Sequence, residues 1–256
     1  MLQIANLRIA PRLVVFDKDG TLISFDTMWR SWFDRLLHAL AAETELSEKT
    51  RQGFAETLGY SLATGMWDPL GPLTLASTRE VNILMAGALY RYQGKTWDEA
   101  LALVNRAEQR ARLALPSDLA QPIGDVRALL QQLVDHGILV ALATTDSRAS
   151  TVRTLENLGI AAYFATIVCG DDGLPLKPAP DMAFEICDQL GVSPRQAVMV
   201  GDTVADMTMA RQAGFGWAVA VTSGALRAEM LAPYADLVIP NIHAIRVVDN
   251  KKGATE

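Results

Sequence analysis

Apolar residues recur along this chain in two rhythms. Apolar runs at residues 13–16, 138–143, 197–200 and 217–221, with the largely apolar stretches 164–169 and 236–239, are bounded by glycine, proline or polar clusters, the pattern of strands buried on both faces of a parallel sheet. Between them the spacing is helical. Val126, Leu129, Leu130, Leu133 and Val134 share one face of a helix that ends at Gly137, and a second helix over 149–158 stops at Gly159. Ser193-Pro194 starts a short helical turn, and a further helix opens near Leu226. Residues 26 to about 115 keep the helical rhythm alone. There Trp29, Trp32, Phe33, Leu36, Leu37 and Leu40 line one face, and Thr96 with Glu99 forms a capping box for a helix through Leu101, Val104 and Ala107. Within this stretch residues 59–78, with Gly65, Trp67, Pro69, Gly71 and Pro72, read as a loop whose aromatic residue packs internally more often than it meets a ligand. The pattern predicts an α/β core over 1–25 and 116–256, a helical insert over 26–115, Pro116 and Pro122 marking the return, and a frayed tail from Asn250.

Composition narrows the class. With 256 residues, half of them apolar, the chain has room for a large core plus an insert. Its net charge of -6, with no basic run beyond Lys251-Lys252, argues against nucleic acid as a partner. Cys169 and Cys187 show no CxxC spacing and read as buried small hydrophobes in a reducing compartment. No apolar stretch reaches membrane-spanning length, and the first residues, MLQIANLRIAPR, lack the basic start and apolar centre of a signal peptide, so a cytoplasmic protein is expected. His38, His136 and His243 lie outside every motif.

The candidate chemistry sits where apolar runs end. The run 13–16 delivers Asp17 and, one residue further, Asp19, followed by Gly20 and Thr21. At the C-terminal edge of a parallel sheet, where ligands of open α/β folds bind, two close carboxylates need a cation or a shared proton. The plain alternative is a solvated Asp-Lys-Asp-Gly turn. An EF-hand loop fails, because Leu22 and Met28 stand where its glycine and final glutamate belong. Gly94-Lys95-Thr96 is not a phosphate loop either, since Leu89 replaces the first glycine. The run 138–143 leads into Thr144, Thr145 and Asp146, where a hydroxyl and freed backbone amides at the start of a helix suit a phosphate oxygen, and a Thr, Asp or Ser helix cap is the plain alternative. Lys177 precedes Pro178 in a stiffened loop, and the run 197–200 ends in Gly201-Asp202-Thr203-Val204-Ala205-Asp206, a second acidic pair at the same edge. Each of these acids alone could equally be a cap.

FDKDGTL, the strand ending in Thr144, Lys177 before Pro178, and GDTVAD, in this order, resemble the four motifs of the haloacid dehalogenase superfamily, in its phosphoglycolate-phosphatase-like branch. The resemblance spans residues 13–240 apart from the insert, which sits where many members carry a helical cap. It implies a Rossmann-like parallel sheet with helices on both faces, Asp17 as nucleophile and Asp19 as general acid/base. It implies Gly20, Thr144, Thr145 and Lys177 as phosphate ligands, and magnesium held by Asp17, Asp202 and the main-chain carbonyl of Asp19, with Asp206 in support. The activity implied is magnesium-dependent hydrolysis of a small phosphorylated metabolite such as phosphoglycolate, by a monomer or homodimer without nucleic-acid or membrane partners. Phosphomutase or phosphonate hydrolysis is the alternative within the superfamily, and a catalytically silent binding protein the alternative outside it. Two residues depart from the branch: Lys18 stands where apolar residues are usual and is expected to reach solvent or the insert, and Thr145 stands where asparagine is common, offering its backbone amide.

Overall fold

The computed structural model describes residues 1–68, 70–113 and 120–249, leaving aside the side chains of residues 25–30, 112 and 113. The expectations for Trp29, Pro69, Pro116, the lysines 251 and 252 and the tail from Asn250 therefore lie outside what is described. Two short antiparallel strands, β1 (Leu2–Ile4) and β2 (Leu7–Ile9), open the chain. Then β3 (Leu13–Phe16), β4 (Leu139–Ala143), β5 (Thr166–Val168), β6 (Ala197–Gly201), β7 (Trp217–Val221) and β8 (Leu237–Ile239) form one six-stranded sheet. All of its pairings are parallel, in the order β5-β4-β3-β6-β7-β8. A last strand, β9 (Ile245–Val247), returns to pair with β1.

Helices flank the sheet, and this explains the unbroken apolar runs: every residue of β3 and β6 is buried, because both faces are covered. Leu13, Val15, Ala141, Met182, Ile186, Met199, Met207 and Ala210 belong to one continuous core built from strands and from the helices Asp181–Leu190 and Val204–Ala213. The chain order reverses about β3, since β4 and β5 lie to one side of it and β6 to β8 to the other. A doubly wound sheet opens a crevice at such a reversal, outside the C-terminal strand ends. Register makes that edge common property. Phe16 is level with Leu142 and with Val200, so the residues following all three strands emerge together.

The contacts divide the chain into two compact units, Met1–Ser24 with Pro122–Glu256, and Phe25–Gln121. In the first, the points of departure and return touch: the Ile123 amide donates to the Leu22 carbonyl at 2.9 Å. The second contains the helices Phe25–Ala41, Glu48–Leu58, Pro72–Leu75, Thr78–Gln93 and Trp97–Leu113. Its core gathers Trp32, Phe33, Leu36, Leu40, Phe54, Leu58, Met85, Leu89 and Val104. The expected capping box is present, with Glu99 accepting from the Thr96 amide and hydroxyl at 3.0 and 2.8 Å. Trp67 packs internally, edge-on to Phe33 and against Tyr60.

Several local expectations change. Residues 59–78 are not all loop, because Pro72 opens a one-turn helix and Ser77 with Glu80 forms a second capping box. Val134 is 43% exposed, since only Val126, Leu129, Leu130 and Leu133 of its helix turn inward. The strand over 164–169 shrinks to β5, because the turn Ala161–Tyr163 holds the Phe164 amide. The helix near Leu226 is a single turn, Ala228–Leu231. The small antiparallel sheet was not foreseen, since three-residue strands hold too few positions for a period to register. Among the described residues, no helix is long and apolar enough to cross a membrane.

Candidate active site

The centre of the site is built by two strand ends, one loop and the first turn of a helix. Asp17 follows β3, its amide bound to the Val200 carbonyl at 2.9 Å, which sets its side chain beside the end of β6. Lys177, in the loop between β5 and the helix Asp181–Leu190, donates to Asp17 Oδ1 at 2.7 Å and to Asp206 Oδ1 at 2.6 Å, with its side chain only 3% exposed. Asp206 meets it from the first turn of the helix Val204–Ala213. There its other oxygen accepts from the Thr203 amide and hydroxyl at 3.0 and 2.6 Å. Capping and site membership are thus compatible, because one carboxylate has two oxygens to share. Asp202, after β6, accepts from the Thr21 hydroxyl at 3.3 Å.

Carboxylate oxygens of Asp17, Asp202 and Asp206 all lie within 4.8 Å of one another. Burial pushes the Asp17 carboxyl up to about 7, with Lys177 opposing and Asp206 and Asp19 adding to the rise. Burial also raises Asp202, and the charges of Asp17 and Asp206 raise it further. Burial pulls the Lys177 ammonium down, but Asp17 and Asp206 more than reverse this and keep it charged. An all-oxygen donor set under this much mutual repulsion fits a hard divalent cation such as magnesium. Asp206, with one oxygen on Lys177 and the other on Thr203, fits the supporting position better than a ligand position.

A second cluster lies alongside. Lys18 does not reach solvent: it is fully buried, with Nζ 2.7 Å from Asp19 Oδ2 and 3.2 Å from Asp146 Oδ2, both within its own unit. The reason is tertiary, because the parallel pairing of β3 with β4 brings an acid from the second loop next to it. Burial lowers Lys18, and Asp19 and Asp146 overcome that and hold it protonated. Thr144 is 2% exposed; its amide donates to the Val168 carbonyl and its hydroxyl accepts from the Asp146 amide at 3.2 Å. Thr145 is half-buried at the same strand end. At Gly20 the amide donates to the Ile23 carbonyl at 2.7 Å, and the φ of +82° suits a residue without a side chain.

The family model for haloacid dehalogenase-like hydrolases matches residues 11–214. The chain belongs to the haloacid dehalogenase-like hydrolase family. It is 30% identical over 213 residues to a phosphoglycolate phosphatase of Rhodospirillum rubrum, covering 80% of this chain and 77% of that one. A phosphoglycolate phosphatase of Agrobacterium fabrum is 29% identical over 91% of this chain and 90% of its own. Among solved structures, a predicted phosphoglycolate phosphatase from Haemophilus somnus superposes with a TM-score of 0.71 at 17% identity, covering 91% of this chain and 95% of that one. The chain is accordingly an enzyme of the phosphatase kind within the haloacid dehalogenase-like hydrolases.

Ser223 and Gly224, at this edge, carry no signal in the sequence, and Thr21 and Asp146 stand in the motifs without any sign of the partners they meet, Asp202 and Lys18. Only the need for an acid beside Lys18 was legible, since a lysine in line with a buried strand requires such a partner. The loop carrying Ser223 and Gly224 follows β7, at the same edge as the motifs. Ser223 donates to the Gly20 carbonyl at 2.7 Å. Gly224 faces Asp202 so closely that a Cβ would lie 1.7 Å from Oδ2. Gly224→Ala is therefore expected to displace Asp202 and to cost about 100-fold in turnover, the usual effect of a misplacement near 1 Å. Steady-state kinetics beside a thermal melt checks this; unchanged kcat in a folded variant contradicts it.

Proposed function

We propose that this hydrolase is a magnesium-dependent phosphatase of a small phosphomonoester, acting through an aspartyl-phosphate on Asp17. The observation that carries the reading is the buried Lys177 ammonium shared by Asp17 and Asp206, next to Asp202. A phosphate dianion approaches a carboxylate only where positive charge offsets the repulsion, and Lys177 supplies one such charge. Magnesium, held by Asp17, Asp202 and the Asp19 carbonyl with Asp206 behind them, would supply the remainder when bound. Asp17 attacks phosphorus as the ester P–O bond breaks, and Asp19 gives its proton to the departing alkoxide. Asp19 then takes a proton from water, which attacks the same phosphorus; the bond to Asp17 breaks, phosphate leaves and Asp17 is restored. Thr144 orients a phosphate oxygen through its hydroxyl, and Thr145 lies beside it.

The residues between the two crossings form, in this reading, a cap that selects the substrate. The motivation is that departure and return adjoin where Ile123 bonds to Leu22, and Leu22 stands three residues after Asp19. Such lids exclude water and strengthen charge interactions when closed. The names of the Rhodospirillum and Agrobacterium relatives make phosphoglycolate the first substrate to try. The test is a panel of phosphorylated metabolites at equal concentration, with magnesium and with a chelator, repeated for Trp67→Ala. Turnover that requires magnesium, and selectivity that changes with Trp67, are the expected results. A wild-type enzyme that hydrolyses nothing on the panel, or hydrolyses it equally with chelator, sinks the reading.

A further inference from the structure

The reaction above gives Lys18 no task, yet the protein buries it completely. Its Nζ lies 2.9 Å from Asp19 Oδ1 and 2.7 Å from Oδ2, so one ammonium group faces both oxygens of the proposed acid. On its other side, 3.2 Å away, stands Asp146 Oδ2. Asp146 is itself anchored: Oδ1 accepts from the Ser147 amide at 2.7 Å, its amide donates to Thr144 Oγ1, and its carbonyl accepts from the Gly170 amide at 2.8 Å. Burying a lysine is costly, and an apolar residue would fill the same space without that cost. What only the ammonium provides is direction.

We propose that Lys18 is a positioning residue, holding the Asp19 carboxyl group, both while it carries the proton and after it has given it up, in one orientation and bracing it through Asp146 against the loop that carries Thr144. The site then has two lysines with separate duties. Lys177 serves Asp17 and Asp206, on the side where phosphorus is attacked; Lys18 serves Asp19, on the side where the leaving oxygen is protonated. Asp19 is 15% exposed at its side chain. Without Lys18 the Asp19 carboxyl loses the contact that addresses both of its oxygens, and proton delivery to the leaving group loses geometry. The inference rests on the reading of Asp19 as general acid/base.

Removing Lys18 alone takes the shared cation from the buried Asp146 and the partly buried Asp19, so Lys18→Met is prone to misfold for reasons unrelated to the proposal. The informative variant is Lys18→Met with Asp146→Asn, in which the asparagine oxygen still accepts from the Ser147 amide. Its kcat/KM, which reports the step that expels the leaving group, is compared on an aryl phosphate and on an alkyl phosphate. An aryl oxide leaves readily without a proton, whereas an alkoxide needs one. The expected result is a folded protein, by thermal melt, that loses roughly tenfold on the aryl ester and about 100-fold on the alkyl ester, within the range of general-acid effects. Asp146→Asn alone keeps the Lys18 contact but loses the brace, and is expected to shift the alkyl-to-aryl ratio the same way by about threefold, a small part of that range. An unchanged ratio in whichever of these variants folds, whether activity is full or lost equally on both esters, overturns the proposal. Asp19→Asn separates it from the reading beneath: if that variant moves the ratio and the lysine variants do not, only the role of Lys18 fails. If Asp19→Asn leaves the ratio unmoved, the assignment of Asp19 fails and the proposal with it.

Discussion

Asp17→Asn is expected to stop turnover of an aryl phosphate, by about a thousandfold or more, which is the scale on which loss of a nucleophile acts. The substitution nearly preserves shape, and the asparagine oxygen can still accept from Lys177, 2.7 Å away in the native protein. What it removes is the negative charge and the nucleophilic oxygen. Stability moves differently. Burial, together with Asp206 and Asp19, disfavours the Asp17 carboxylate, while Lys177 favours it. A neutral amide relieves the first set and loses the second, so the melting temperature should stay within a few degrees of native. An inactive, native-like protein is the signature of a chemical role. More than a few per cent of native activity in a sample free of wild-type enzyme would end the covalent mechanism.

The second large effect concerns the cation. Asp202→Ala is expected to weaken magnesium binding by at least tenfold, since even groups behind the direct ligands contribute on that scale. Its folding in chelator should be little disturbed, because the carboxylate it removes is buried and repelled by Asp17 and Asp206. Linkage supplies a readout that needs no turnover: a ligand that binds only the native state raises its melting temperature. Magnesium should raise the melting temperature of the native enzyme, and much less that of the variant. Titration calorimetry showing equal magnesium affinity in both proteins would remove Asp202 from the ligand set.

The motifs were legible because their chemistry and their position in the sheet are written together. An acid directly after a buried strand can only emerge at the strand's C-terminal end, so Asp17 and Asp202 were both placed by the apolar runs before them. Lys177 was not readable this way. A lysine in a proline-bounded loop is solvated unless acids converge on it, and its partners come from β3 and from the start of the helix Val204–Ala213. Lys18 was misread for the related reason that its partner Asp146 is remote in sequence. The place of Gly20 was equally hidden: its amide closes a turn onto Ile23 and its missing side chain makes room for Asp202.

From sequence alone came the parallel α/β core, the helical character of the stretch after Ser24, and the acids that emerge at the strand ends. These are properties of period and order, in which each residue is informed by neighbours a few positions away. Tertiary structure alone decided the pairing of two lysines with four acids, the choice of one Asp206 oxygen for the cap and one for Lys177, and the glycine-lined space for Asp202. Those depend on which strands lie side by side and in what register, and charge interactions at such distances follow spatial neighbours, whatever their separation along the chain.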